Sequence, residues 1–156
     1  MKNIVLLFVL SVWCIAACVQ PPDYPIEPEI EFVSLSKSDI RQNVDTFRIT
    51  FAYTDGDGDI GIDPASPDNN VIITDSRTGS SDSFRVPVVP QQGVANGISG
   101  EITLLVFASC CLNSTPICTA TPNADPEEMT YSIQMFDRAG NASNVTQTSP
   151  IRLICN

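Results

Sequence analysis

The sequence predicts an all-β protein, namely an antiparallel two-sheet sandwich of about seven strands. Three observations predict it: short segments alternate apolar and polar residues, turn-forming Gly, Pro, Asn and Asp separate them, and no amphipathic helix of useful length is present. The 156 residues suffice for one domain rather than two. An open barrel is the alternative fold.

The predicted strands differ in how clearly they are marked. They are expected at residues 29–36, 47–54, 70–74, 83–89, 101–108, 129–136 and 142–154. The second is the clearest, because Phe47, Ile49, Phe51 and Tyr53 recur at every other position and give one buried face. The first shifts its alternation near Val33, which predicts a bulge.

The later strands carry further signals. Pro87 has no backbone donor, so the fourth strand is expected at a sheet edge, and the seventh is interrupted near Pro150. Three glycines in residues 91–100 predict a loop. In the fifth strand Leu105 and Phe107 lie opposite the main apolar face, which predicts that both faces are partly covered.

Composition excludes several classes of function. Lys and Arg number 8 against 18 Asp and Glu, so the formal charge is −10, which argues against nucleic acid or anionic lipid as a partner. The chain has no histidine, which removes Ser/His/Asp and Cys/His nucleophile systems and His-ligated zinc. Carboxylate chemistry and hard metal ions remain open.

The N-terminus reads as a leader and a tether. Residues 1–17 begin with a short basic segment that contains Lys2, and they continue from Ile4 to Ala17 as an apolar stretch too short to span a bilayer comfortably. The junction Ile15-Ala16-Ala17-Cys18 resembles the lipobox of bacterial lipoproteins, which implies lipidation of Cys18 and attachment to a membrane; an ordinary secretory signal is the alternative.

Residues 18–28 are Pro-rich and should form an extended stalk, followed by the domain at 29–156. Val19, in place of an aspartate, favours the outer membrane by analogy with familiar lipoprotein sorting.

A second motif carries a resemblance. The segment Asp137-Arg138-Ala139-Gly140-Asn141 resembles the hairpin that joins the last two strands of bacterial immunoglobulin-like repeats. Together with the lipobox, the stalk and an Asp-Gly-rich loop, it is similar to uncharacterised lipoproteins of Bacteroidota-type bacteria. The resemblance implies an Ig-like fold and an envelope location, and implies no activity.

The Asp-Gly-rich loop is the candidate ion site. Asp55, Asp57 and Asp59 alternate with glycines, and Asp63 follows. Calcium takes six to eight oxygen ligands, and glycine lets the backbone curl so that successive carboxylates converge. The spacing resembles the start of an EF-hand or a thrombospondin-type repeat, but Ile60 stands where an EF-hand has glycine. A plain acidic turn is the alternative to a calcium site.

Ig-like topology would bring other acids to the same pole. The loop after the second strand and the final hairpin share one end of such a sandwich, so Asp137 is expected near the loop. The first strand also begins there, so Glu27 and Glu29 are expected nearby. The metal ligands predicted are therefore Asp55, Asp57 and Asp59, with Asp63 and Asp137 as further candidates.

Four cysteines remain after the leader and Cys18: Cys110, Cys111, Cys118 and Cys155. In an exported protein they are expected to form disulfides rather than a zinc site. Three full pairings exist; the favoured arrangement joins one of the adjacent pair to Cys155 and the other to Cys118, at the pole opposite the acidic loop. Glu127-Glu128 is most simply a solvated loop.

The sequence does not identify the ligand. The leading hypothesis is a non-enzymatic, calcium-stabilised, lipid-anchored binding or structural module of the cell envelope, whose partner is an unknown envelope protein or glycan. The alternative is a carbohydrate- or protein-binding surface domain that uses the acidic pole. A carboxylate-dependent hydrolase is a minor alternative, since acidic residues are too common here to single out a pair.

Overall fold

The computed structural model describes residues 23–90 and 97–156, and the predicted leader and Cys18 lie outside these residues. The described chain contains strands and no helix, which confirms the predicted all-β class. The strands are β1 (Glu29–Leu35), β2 (Asp39–Arg41), β3 (Thr46–Asp55), β4 (Val71–Asp75), β5 (Ser81–Phe84), β6 (Ile98–Phe107), β7 (Glu127–Met129), β8 (Tyr131–Met135), β9 (Thr146–Gln147) and β10 (Ile151–Ile154).

The longest sheet has the order β1-β3-β6, with both pairings antiparallel. β3 pairs with β6 in one unbroken register from Thr46 opposite Phe107 to Asp55 opposite Ile98. The register of β1 against β3 shifts between Phe32 and Ser34, which confirms the expected bulge. Side chains from a distant segment cover the outer edge of β1, where Asn144 accepts a hydrogen bond from the Ile30 N–H at 2.8 Å.

Two smaller sheets complete the architecture. One has the order β5-β4-β8-β9 and is antiparallel throughout. The other has the order β2-β10-β7, in which β2 pairs parallel to β10 and β7 antiparallel to it. The alternating side chains of all three sheets meet in one core; its largest fully buried members are Tyr131, Phe47, Phe51, Ile40, Ile49, Ile60, Ile73, Ile133, Met135, Ile151, Leu153 and Val71.

Several predicted boundaries were wrong. The fourth strand ends at Phe84, and beyond it Pro87 makes only an isolated bridge to Ile62. The sixth divides at Thr130 into β7 and β8, and the seventh is interrupted as expected, between β9 and β10. The three-residue β2 was not anticipated, because so short a segment carries too little alternation.

The fifth strand begins earlier and is more exposed than predicted. β6 starts at Ile98, so Gly100 lies inside a strand rather than in a loop. A Cβ at Gly100 would lie 2.9 Å from the Tyr53 hydroxyl, which shows how closely that ring approaches the strand. The second face of this strand is only partly covered, because Leu105 is 49% exposed and Phe107 is 75% exposed.

Candidate metal site at the acidic pole

The end of β3 places the acidic loop. Asp55 is the last residue of this strand and is fully buried, while Asp57 and Asp59 are half-buried. Gly58 has φ 71°, in the left-handed region that favours glycine, and it turns the loop back on itself. One carboxylate oxygen from each aspartate then lies within 4.8 Å of the others. The loop thus brings together the three acids that the sequence predicts as principal ligands.

Two of these carboxylates have an oxygen without a hydrogen-bond partner. The Asp59 N–H donates to Asp55 Oδ2 at 2.8 Å, and the Ala139 N–H donates to Asp59 Oδ2 at 3.0 Å. The other oxygen of each, Asp55 Oδ1 and Asp59 Oδ1, is buried and accepts no hydrogen bond within the described chain. Buried carboxylate oxygens without donors are costly unless a cation compensates them.

The pKa values of the loop aspartates also indicate that the loop lacks a compensating cation. Burial, together with the charges of Asp57 and Asp59, raises the pKa of Asp55 from 3.8 to about 6, although the Asp59 N–H partly offsets the shift. Burial and the charge of Asp137 raise the pKa of Asp59, and Arg138 partly opposes this. Neither Asp55 nor Asp59 forms a salt bridge in the described part of the chain. The loop as folded is therefore short of positive charge.

The hairpin that begins at Asp137 packs against this loop, as the topology predicts. The Arg138 N–H donates to the Asp59 carbonyl at 3.3 Å, and the Arg138 guanidinium donates to the Ile60 carbonyl at 3.2 Å. The carboxylate of Asp137 faces its own turn, where the Asn141 N–H and side-chain amide each donate to one of its oxygens at 2.7 Å. Asp137 therefore lies near Asp59 but outside the cluster of converging oxygens.

Asp63 lies apart from the cluster. It is exposed, and its carboxylate accepts a hydrogen bond from the Ala65 N–H at 2.8 Å. It instead lines a surface cavity of about 410 Å³ with Ser66, Asp68 and Phe136 among its neighbours. Phe136 is the one aromatic ring among this cavity's described lining residues, whereas a carbohydrate groove would be favoured by an aromatic cluster.

The described end of the tether also meets the acidic loop. The Gly56 N–H donates to the Pro25 carbonyl at 2.7 Å, and a Cβ on Gly56 would collide with the backbone of Tyr24 and Pro25. Glu29 pairs opposite Thr54, one residue before the loop, and both Glu29 and Glu27 are exposed. The loop, the hairpin and the tether thus share one pole of the domain.

The opposite pole holds the cysteines. Cys111 is bonded to Cys155 and Cys110 to Cys118, which is the favoured arrangement. Cys111, Glu127 and Cys155 also lie close enough to resemble a metal-binding group, but the disulfide removes both thiolates as ligands.

Beside these disulfides lies an ion-pair network that the sequence did not reveal. The Arg77 guanidinium donates to both oxygens of Asp75 and, at 2.6 Å, to Glu127. The second oxygen of Glu127 accepts the N–H groups of Leu112 and Asn113, so the expectation of a solvated loop at Glu127 was wrong. Burial opposes ionisation of both acids, but these hydrogen bonds and the charge of Arg77 outweigh it and lower the pKa of Asp75 and of Glu127.

Comparisons of the chain with protein-family models, with curated proteins and with solved structures give no match. The fold and the site therefore rest on the geometry above, and the resemblance to envelope lipoproteins stays a prediction. Within residues 23–90 and 97–156, no helix is long and apolar enough to cross a membrane.

Proposed function

We propose that this chain is a lipid-anchored, calcium-stabilised, non-enzymatic binding or structural module of the bacterial cell envelope. The observation that carries the calcium part is the buried Oδ1 of Asp55, which accepts no hydrogen bond in the described chain although Asp57 and Asp59 lie beside it. A cation held by these oxygens would compensate the buried charge.

The chemistry of the donors favours calcium among the cations. The three side chains offer only carboxylate oxygens, which are hard ligands, and the loop backbone can add carbonyl oxygens. Magnesium prefers to keep several of its waters, which a cluster containing a fully buried Asp55 would disfavour. Zinc prefers nitrogen and sulfur ligands, and this loop has neither histidine nor cysteine.

The location of the loop supports a structural role. Residues from the tether, from β3 and from the Asp137 hairpin all contact it. An ion bound here would tie the start of the domain to its last hairpin and would stiffen the junction with the tether. Burial of Asp55 under these segments favours an ion that stabilises the fold over a group that meets a substrate.

The membrane attachment rests on the Ile15-Ala16-Ala17-Cys18 motif, which lies outside the described residues. The described tether supports it indirectly, because Tyr24 and Pro25 pack against Gly56 of the acidic loop and Pro28 is buried, so the chain enters the domain at the acidic pole. A chain built in this way would stand on its stalk with the disulfide pole directed away from the membrane.

Thermal melts of the full chain test the calcium part. Measurements in chelator, in calcium, in magnesium and in sodium chloride at matched ionic strength separate specific binding from charge screening. At free calcium ten times the dissociation constant, linkage adds about 1.4 kcal/mol to the free energy of unfolding, which raises the Tm by a few degrees. An equal rise in matched sodium chloride would mean that the loop is a plain acidic turn.

A pair of variants sharpens the comparison. Asp55→Asn keeps an acceptor for the Asp59 N–H but removes the buried charge, so it should abolish the calcium-specific rise. Asp82→Asn removes one exposed negative charge in β5, far along the chain from the loop, and should leave the rise intact. If both variants respond to calcium as the wild type does, the proposed site is wrong.

A further inference from the structure

We propose that the free edge of β6 pairs with β6 of a second copy of this chain, in antiparallel register about Leu105, so that two three-stranded sheets join into one. The proposal is independent of the calcium site, because it rests on the backbone edge and outward side chains of one strand.

The edge of β6 is unpaired in the described chain. β6 lies at the end of the sheet β1-β3-β6 and pairs only with β3. No backbone N–H or carbonyl of β6 that faces away from β3 has a hydrogen-bond partner among the described residues. An unpaired row of donors and acceptors is a template for another strand.

The other edges carry the protections that β6 lacks. The outer edge of β1 is capped by Asn144 and Thr146 side chains and is broken by a bulge. The remaining edge strands are short, with four residues in β5, two in β9 and three each in β2 and β7. β6 has ten residues, a continuous register, no proline and no lysine or arginine. Proteins ordinarily protect an edge strand of this length from pairing with another chain, by charged residues, proline, a bulge or a covering segment.

The outward face of β6 adds apolar surface next to that edge. Phe107 is 75% exposed and Leu105 is 49% exposed, and both point to the same side of the sheet. These exposures are high for large apolar side chains beside an open backbone edge, and a strand added there would cover them.

The pattern of β6 favours a second copy as the occupant. An antiparallel pairing about Leu105 places Leu105 opposite itself and Phe107 opposite Thr103 of the second copy, so that four apolar side chains cluster on one face. Glu101 is the one ionisable residue of β6, and this register sets it opposite Ser109 of the second copy. The two Glu101 side chains are then far apart along the strands, so no like charges face each other.

Sedimentation of the purified full chain in detergent tests the proposal. A monomer–dimer equilibrium is expected at protein concentrations on the order of 100 µM, because an interface of one strand pair is at the small end of specific interfaces. The chain carries a charge of −10, so the dimer fraction should rise with sodium chloride as long-range repulsion is screened.

Surface variants identify the interface. Leu105→Lys should weaken the dimer at least about tenfold, because two like charges would then face each other across the pair. Phe107→Lys should also weaken it, whereas Val44→Lys, on an exposed loop between β2 and β3, should leave it unchanged. Since all three positions are exposed, these variants are expected to fold.

Cysteine substitution tests the register. Leu105→Cys should form an intermolecular disulfide on mild oxidation, whereas Val44→Cys should not. A chain that stays monomeric at these concentrations would overturn the proposal. So would a dimer that Leu105→Lys and Phe107→Lys leave intact, a dimer that Val44→Lys weakens equally, or a dimer that Leu105→Cys does not cross-link.

Discussion

Replacing Arg77 with methionine should destabilise the domain far more than an ordinary loss of a surface charge. The Arg77 side chain is only 10% exposed and makes four hydrogen bonds, two to Asp75, one to Glu127 and one to the Cys110 carbonyl. Methionine keeps the apolar stem but leaves two nearly buried carboxylates without their cation. Breaking a buried ion pair in this way costs about 3–5 kcal/mol. For a domain of this size the Tm should fall by about 10–20 °C.

The same variant has a distinctive dependence on pH. The pKa values of Asp75 and Glu127 are lowered in the folded wild type, so the stability they contribute is present above their ordinary values of 3.8 and 4.5. That stability is lost as pH falls through the lowered folded values. The free-energy difference between wild type and Arg77→Met should therefore be largest near pH 7 and should shrink below about pH 4.5, as the carboxylates lose their charge.

Chemical denaturation of both proteins at several pH values measures this difference. Arg152→Met is the matched control, because Arg152 forms an ion pair with Asp39 in which both side chains are more than half exposed. That substitution should cost less than about 1 kcal/mol at any pH. The reasoning is refuted if Arg77→Met costs no more than Arg152→Met, or if its cost is the same at pH 4 and pH 7.

Two further predictions concern the anchor and the disulfides. Cys18→Ser should release the chain from the membrane fraction or leave it unprocessed, and a variant that still partitions into detergent like the wild type would contradict lipidation. Mass spectrometry without reductant should find no free thiol in the processed chain. Removing the Cys111–Cys155 bond should cost about 4 kcal/mol and removing Cys110–Cys118 about 2.5 kcal/mol, since the loops they close span 44 and 8 residues; equal costs in denaturant titrations would contradict this ranking.

The parts of the fold that the sequence predicted are those encoded by local alternation. The alternation in β3 predicted this strand, because every second side chain enters the core: Phe47, Ile49, Phe51 and Tyr53. The bulge near Val33 was predictable for the same reason, since a bulge moves the alternation by one residue. The meeting of the acidic loop with the hairpin followed from topology, because the two turns close the same end of an antiparallel sandwich.

What the sequence could not predict depends on partners far along the chain. Glu127 is ordered by Arg77, which is 50 residues away, and no local pattern marks that pair. The parallel pairing of β2 with β10 joins segments more than a hundred residues apart. Gly100 lies inside β6, where it pairs with Tyr53 of β3 and the Tyr53 ring lies close to it. The exposure of Leu105 and Phe107 could not be inferred either, since an apolar residue in a strand shows only which face it occupies.

The sequence also predicted only part of the candidate site. The spacing of Asp55, Asp57 and Asp59 was enough to predict that their carboxylates converge, because glycines between them allow a tight curl. It did not show that Asp137 would turn to Asn141 or that Asp63 would face Ala65. Each of these acids satisfies its carboxylate within its own turn, a choice set by local hydrogen bonding rather than by residue type.

Calcium titration of the ¹⁵N-labelled, metal-stripped protein, followed by its amide NMR spectrum, tests the central claim most directly. The amides of Gly56 and Gly58 lie in the acidic loop, whereas Gly79 lies in the turn between β4 and β5 at the other pole. We expect the two loop amides to shift and saturate with a dissociation constant on the order of 10⁻⁴ to 10⁻³ M, while Gly79 stays unchanged. Asp55→Asn should remove the response and Asp82→Asn should keep it. If the loop amides do not move at calcium concentrations on the order of 10 mM, or move equally in magnesium and in matched sodium chloride, the loop does not bind calcium and the proposed function fails.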